Sequence, residues 1–340
     1  MEWVPGEMIG YGSFGTVNLV LPKTGFSKSP LTVVKRCETH NSASLRHEKQ
    51  VLDQLGSCPQ IIRCLGDDYS VENCGKFYNL FLEYADKGSL ADHVKRNGGG
   101  WTESDVKRFA KSILRGLNFV HSKGLVHCDV KLQNVLLFGN GDVKLADFGL
   151  AKRNGEKQGK FEIRGTPLNM APESINGNVY DFPVDIWALG CVVVEMFTGK
   201  TAWNLKPGSN MADLFIKIGV GDELPGIPTE LSEEGKDFLG KCFSRDPSKR
   251  WTTEMLLNHP FMVADDETTV PFPSTSSQCC FEEFSVSPRC PFDFPDWIST
   301  DELISRENSS RISSALNRIG ELACHEAPNW SSCGSWISLR

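Results

Sequence analysis

The segment His127-Cys128-Asp129-Val130-Lys131-Leu132-Gln133-Asn134 sets a carboxylate, an ammonium and an amide close together, and Asp147-Phe148-Gly149 adds a second carboxylate. These groups suit transfer of a phosphoryl group, a reaction that needs little covalent help but close positioning. Asp129 can accept or orient the proton of an attacking hydroxyl. Lys131 can offset charge on the group in flight. Asn134 and Asp147 offer oxygen ligands for Mg²⁺, which prefers carboxylate and amide oxygens to imidazole. Ala171-Pro172-Glu173 follows downstream, and the whole series is a very improbable product of chance.

Two further features fit the same chemistry. Gly10-Tyr11-Gly12-Ser13-Phe14-Gly15-Thr16-Val17 is a G-x-G-x-x-G string. In a dinucleotide fold a helix would open inside such a string. Here a strand pattern follows, which favours a hairpin laying glycine amides over phosphates; a dinucleotide site and a plain hairpin are the alternatives. Lys35 ends an apolar strand, and Glu48 lies among Leu45, Val51 and Leu52 on the apolar face of the next helix. A carboxylate there is costly unless paired, and Lys35 is its natural partner, although a solvated Glu at the edge of the face is the bland reading.

The elements that must hold these groups are legible in the patterning. Thr16–Val20 and Thr32–Lys35 read as strands. Ala43–Leu55 reads as an amphipathic helix, with Leu45, Val51, Leu52 and Leu55 on one face. Beyond Leu90 helical spacing dominates. Ser104–Ser122 carries Val106, Phe109, Ile113, Leu114, Leu117 and Val120, and Asp185–Thr198 is apolar nearly all round, as a buried helix would be. The expectation is an α+β chain with a small β-rich lobe and a larger helical one.

Composition bounds the rest. The chain has 340 residues, 36 basic against 43 acidic, and a formal charge of −7, so no general nucleic-acid surface is indicated. Its longest apolar run, Ile186–Phe197, is too short to span a membrane, and the N-terminus does not read as a secretory signal. Twelve cysteines carry no C-x-x-C pair, which argues against zinc and for reduced thiols. From residue 262 to 340 there are no lysines, five arginines and twelve acidic residues, so this part holds the whole net charge. It reads as a poorly ordered, acidic, Ser/Pro-rich regulatory tail. Within it 301–323 is a candidate docking helix, a fluctuating linker being the alternative, and Ser287-Pro288 is a candidate site for a proline-directed kinase.

On these residues the chain resembles the eukaryotic protein kinases over 1–261. The resemblance implies a bilobal fold with an N-lobe at about 1–82, a hinge at 83–89, a C-lobe at 90–261, and ATP with Mg²⁺ as cofactors. Ile9, Gly10, Gly12, Ser13, Phe14, Gly15 and Val17 resemble the Gly-rich loop over ATP, with Val33, Leu82 (the gatekeeper), Glu83, Ala85 and Leu136 around adenine. Lys35 and Glu48 resemble the activating ion pair. Asp129 resembles the base, Lys131 the phosphate-facing lysine, and Asn134 and Asp147 the metal ligands. Asp185 resembles the buried carboxylate that braces the catalytic loop, and Glu173 with Arg250 the ion pair of the large lobe. Lys131 and Thr166 resemble the serine/threonine rather than the tyrosine class.

The finer resemblance is to plant MAP kinase kinase kinases of the short MEKK-like class. It rests on the Met1-Glu2-Trp3 start, His127-Cys128-Asp129, Gly165-Thr166-Pro167-Leu168-Asn169-Met170 and the tail segment Ser287–Trp297. It implies MAP kinase kinases as substrates, a role in stress or abscisic acid signalling, tail-bound regulators, and a place in cytoplasm and nucleus. Two other functions share these features: a pseudokinase scaffold binding cascade components, and a nucleotide-dependent oxidoreductase. Two positions depart from the usual pattern. Val33 replaces an alanine and narrows the adenine pocket. Cys128 replaces the arginine that pairs with an activation-loop phosphate. Between Asp147 and Glu173 the only hydroxyl residue is Thr166. The expectation is activity without activation-loop phosphorylation, with redox control through Cys128 as a minor reading.

Overall fold

The computed structural model describes residues 3–12, 15–23, 31–72, 75–156, 163–205 and 208–263. The expected loop residues Ser13 and Phe14, the tail from 264 with its docking helix at 301–323, and Ser287 lie outside the described residues.

The smaller lobe is an antiparallel sheet of β1 (Trp3–Gly12), β2 (Gly15–Pro22), β3 (Thr32–Glu38), β4 (Cys64–Glu72) and β5 (Gly75–Glu83), ordered β1-β2-β3-β5-β4. Its one long helix, α1 (Ala43–Leu55), has the bounds that periodicity predicts and buries Leu45, Val51, Leu52 and Leu55. Glu48 is buried on that same face, so the cost of hiding a carboxylate must be met by a partner. Register puts Lys35 opposite Val17 on β2 and Leu80 on β5, in the middle of the sheet.

The larger lobe is helical. It contains α2 (Leu90–Asn97), α3 (Glu103–Ser122), α4 (Pro172–Gly177), α5 (Phe182–Thr198), α6 (Met211–Gly219), α7 (Glu233–Cys242), α8 (Thr253–Leu257) and α9 (Pro260–Val263). Between α3 and α4 the described residues form four short strands, β6 (Leu125–Val126), β7 (Val135–Leu137), β8 (Val143–Leu145) and β9 (Lys152–Arg153), paired β6–β9 and β7–β8. The β6–β9 pair and the β7–β8 hairpin between them frame the functional loops. The packed domain continues through α9, where Met262 is buried, so the core reaches slightly past the charge break.

Helix α5 is the spine of this lobe. Twelve of its residues, Val184 to Met196, are buried, each large apolar side chain contributing roughly 1.5–3 kcal/mol. It starts at Phe182, three residues before the apolar pattern suggests, because Pro183 sits in its first turn, where a missing N–H costs nothing. It stops at Gly199 in the left-handed region.

One polar group sits uneasily in this helix. The Glu195 carboxylate has no hydrogen-bond or ion-pair partner among the described residues, and burial raises its pKa from 4.5 to about 7. The neutral form is thus favoured in the fold. The group costs nothing below its unfolded pKa and costs progressively more as pH climbs from about 4.5 through 7. Glu195→Gln is therefore expected to stabilise the protein at pH 8 by up to roughly 3 kcal/mol, with a smaller gain at pH 5.5. Thermal melts of both proteins at the two pH values check this; a gain independent of pH would contradict it.

Candidate active site

Lys35 stands between two carboxylates. Its Nζ donates to Glu48 Oε2 at 2.7 Å and to Asp147 Oδ1 at 2.8 Å. Glu48 also accepts from the backbone N–H of Phe148 at 3.3 Å, so the helix carboxylate touches both the lysine and the loop carrying Asp147. Burial works against the lysine's charge, but Asp147 and Glu48 outweigh it and hold its pKa above the ordinary lysine range. Burial likewise raises the carboxyl of Asp147, yet Lys35 first and Lys131 with it bring its pKa down to about 2. Glu48 is pushed upward by its burial, with Lys35 opposing.

Asp147 has φ = 64° and Cys128 φ = 67°, and both are non-glycine residues in the left-handed region. Such strain persists only where surroundings enforce it, and it collects at functional sites. The enforcement at Cys128 is visible. Asp185 reaches up from α5 and accepts the N–H of His127 at 2.8 Å and that of Cys128 at 2.9 Å. His121 Nε2, at the end of α3, lies 2.9 Å from the same carboxylate. Asp185 thus braces the loop.

The loop next presents Asp129, Lys131 and Asn134, all buried. Asp129 Oδ1 accepts from Thr166 Oγ1 at 2.8 Å, and Lys131 Nζ donates to that hydroxyl at 3.1 Å and pairs with Asp129 Oδ2 at 3.0 Å. Asn134 Nδ2 donates to the Asp129 carbonyl at 2.9 Å and to its Oδ2 at 3.2 Å. With its amide nitrogen anchored, Asn134 has its oxygen left to serve as a ligand. Asp147 and Asn134 together make a two-oxygen donor set, fit for a hard divalent cation that takes the rest of its shell from phosphate and water. Thr166 is where a hydroxyl meets the Asp129–Lys131 pair, and the same residues would receive the hydroxyl of an acceptor.

The nucleotide side is laid out above this. Ile9 and Val17 pack on the core, and Gly10 pairs with Val17 and Gly12 with Gly15 across the hairpin. Gly15 has a second reason to be glycine: a Cβ there would lie 1.9 Å from the Arg36 carbonyl. Val33 and Leu82 stand opposite each other on β3 and β5, both buried, and Leu136 on β7 is partly buried. The Glu83 side chain accepts from Arg63 N at 2.8 Å and Lys144 Nζ at 2.6 Å. It ties the hinge to its neighbours, so what Glu83 and Ala85 offer a bound base is main chain.

Farther down, Arg250 is wholly buried and donates to Glu173 from two nitrogens, at 2.6 and 3.1 Å, and to the carbonyls of Pro183 and Ser244. Cys128 is buried, and burial together with the Asp185 charge keeps its thiol pKa well above the usual cysteine value. A protonated, enclosed thiol is inert, which removes the basis for redox control at this position.

Several contacts have no signal in the linear pattern. His127 packs its ring on Phe148, with centroids 4.6 Å apart. Asn169 Nδ2 holds the Val130 carbonyl at 2.9 Å. Arg164 joins Leu150 and Tyr180. Each pair is brought together only by the folded chain.

The lobes, the lysine–carboxylate pair and the loop that presents Asp129 define a protein kinase. A family model described as "Protein kinase domain" matches residues 3–262, and the chain belongs to that family, as a serine/threonine kinase. Across its whole length it is 51% identical to all of mitogen-activated protein kinase kinase kinase 20 of Arabidopsis thaliana. It is also similar to kinase kinase kinase 18 of that organism, at 38% identity over all of this chain and 99% of the relative. With kinase kinase kinase 17 the identity is 36% over all of this chain and 93% of the relative. Membership in the family implies ATP and a divalent cation, and it removes the oxidoreductase reading of the glycine string. Among the described residues no helix is long and apolar enough to cross a membrane.

Proposed function

We propose that this chain is a MAP kinase kinase kinase, which transfers the terminal phosphoryl group of Mg-ATP to serine or threonine hydroxyls in the activation loops of MAP kinase kinases. The observation that carries the chemistry is the Thr166 hydroxyl seated between Asp129 and Lys131 while Lys35 bridges Glu48 and Asp147. In this reading Asp129 takes or orients the acceptor's proton, and Lys131 offsets charge on the transferring group. Lys35 binds the inner phosphates, and Asn134 with Asp147 hold Mg²⁺. The acceptor class is supported by the relatives, all three named as kinases of that tier and matched over nearly their full lengths. The resemblance to plant members supports a setting in stress or abscisic acid signalling and a place in cytoplasm and nucleus. The acidic tail is the segment through which regulators would bind.

The test is phosphorylation in vitro of a panel of purified MAP kinase kinases, each with its own active-site lysine replaced. The wild type is expected to label at least one of them on activation-loop Ser/Thr, in a reaction that EDTA stops and excess Mg²⁺ restores, while Lys35→Met labels none. Transfer to generic acceptors but to no member of the panel would refute the assignment to this tier.

A further inference from the structure

The segment from Asp147 to Glu173 is fastened near both ends by contacts of its own residues. On the entering side His47 Nε2 lies 2.6 Å from the Ala151 carbonyl, and β9 pairs with β6. Gly155 N then donates to Asp181 Oδ1 at 2.8 Å; Asp181 is the residue before α5, and its carboxylate caps this loop instead of its own helix. On the leaving side Thr166 and Asn169 fasten to the catalytic loop. Gly165, at φ = 94°, presses so close that a Cβ would lie 2.4 Å from the Cys128 carbonyl.

Arg164 connects the two ends. Its guanidinium Nη1 donates to the Leu150 carbonyl at 3.2 Å, and its main-chain N–H donates to the hydroxyl of buried Tyr180 at 2.9 Å. Arg164, Cys128 and Tyr180 line one small cavity of about 20 Å³, room for a single water and too little for a phosphoryl group with its three oxygens. An arginine at position 128 would bring a second guanidinium into this space, where like charges disfavour each other. The neutral thiol at 128 and the arginine at 164 therefore complement one another.

We propose that Arg164 is a positioning residue that takes the place of an activation-loop phosphate, its bonds to Leu150 and Tyr180 holding Thr166 and the residues around it on Asp129 and Lys131. This deepens the kinase reading, on which it rests, by naming how the site is kept in order, and it is independent of which protein is the acceptor. The usual device is a phosphate added to the segment and received by an arginine of the catalytic loop. Here the cation is carried by the segment itself and a main-chain carbonyl is among its acceptors, so the clamp needs no modification to form.

The test uses the full chain with myelin basic protein as acceptor, reading kcat, KM for ATP and melting temperature. Arg164→Met keeps the length of the side chain and removes its donors. It is expected to lower kcat roughly ten-fold, because small misplacements of reacting groups are costly, while KM for ATP and the melting temperature stay near wild type. Arg164→Lys, which restores a donor, is expected to recover most of the rate. Tyr180→Phe, which deletes only the accepting hydroxyl, gives a second and smaller loss in kcat. Mass spectrometry of the active wild type is expected to find no phosphate between residues 147 and 173. Wild-type kcat in Arg164→Met, an Arg164→Lys as impaired as Arg164→Met, or a requirement for phosphate on Thr166 would each overturn the proposal. An inactive wild type would instead refute the kinase reading beneath it.

Discussion

Asp129→Asn is expected to lower kcat by about 10³-fold, within the range that positioned acid–base groups supply, while ATP affinity stays within a factor of about three of wild type. The two halves of this expectation come from different parts of the site. Asp129 accepts from Thr166 on one oxygen and from Lys131 and Asn134 on the other. The group that would grip the nucleotide is a separate ion-paired cluster, Lys35 with Glu48 and Asp147. An amide of the same shape preserves packing but turns one acceptor into an NH₂ donor that must face the Thr166 hydroxyl or the Lys131 ammonium. It can neither take a proton nor keep both partners. Steady-state kinetics beside a fluorescent-nucleotide titration separate rate from binding. A variant with kcat within ten-fold of wild type would show that Asp129 is not the group the acceptor's proton meets.

The chemistry of this site was more legible in the sequence than its support. Asp129, Lys131, Asn134 and Asp147 fall in short strings whose residue types are hard to explain otherwise. Glu48 could be paired with Lys35 because a carboxylate on the apolar face of an amphipathic helix is physically expensive. Helix α1 was recoverable to the residue because its periodicity is undisturbed and Gly56 ends it. Strand β4 was not, since Gly66, Asp67 and Asp68 interrupt the pattern and only pairing with β5 makes that stretch extended. Gly15 was assigned to phosphate approach; its second demand, the close Arg36 carbonyl of the neighbouring strand, left no mark in the pattern. Asp185 was recognised through resemblance, but its partners His121, His127 and Cys128 lie some sixty residues away. Such bonds leave no local trace in composition or period. The clamp made by Arg164 belongs to the same category: an arginine in a loop has many uses, and its bond to the Leu150 carbonyl is visible only in the folded chain.

Asp185→Ala is expected to cost roughly 2–6 kcal/mol of folding free energy, the sum of two buried N–H groups left without an acceptor at about 1–3 kcal/mol each. Asp185 is itself 1% exposed, so water cannot replace the lost carboxylate without opening the core. Against a typical total of about 5–15 kcal/mol this is a large fraction. Asp185→Asn should fall between, because its one carbonyl oxygen can satisfy either His127 N or Cys128 N while its NH₂ opposes the other. Activity should suffer beyond stability. Cys128 sits at φ = 67° because those two bonds hold it there, and releasing it moves the residue that directly precedes Asp129. A displacement of about 1 Å at a reacting group costs on the order of 10² in rate. Urea unfolding gives the stability difference, and kcat measured well below the variant's melting temperature isolates the positioning effect. If Asp185→Ala retained wild-type stability, the brace would carry none of the load assigned to it; if it lost stability but kept full kcat while folded, the strained backbone at Cys128 would be held by something other than this carboxylate.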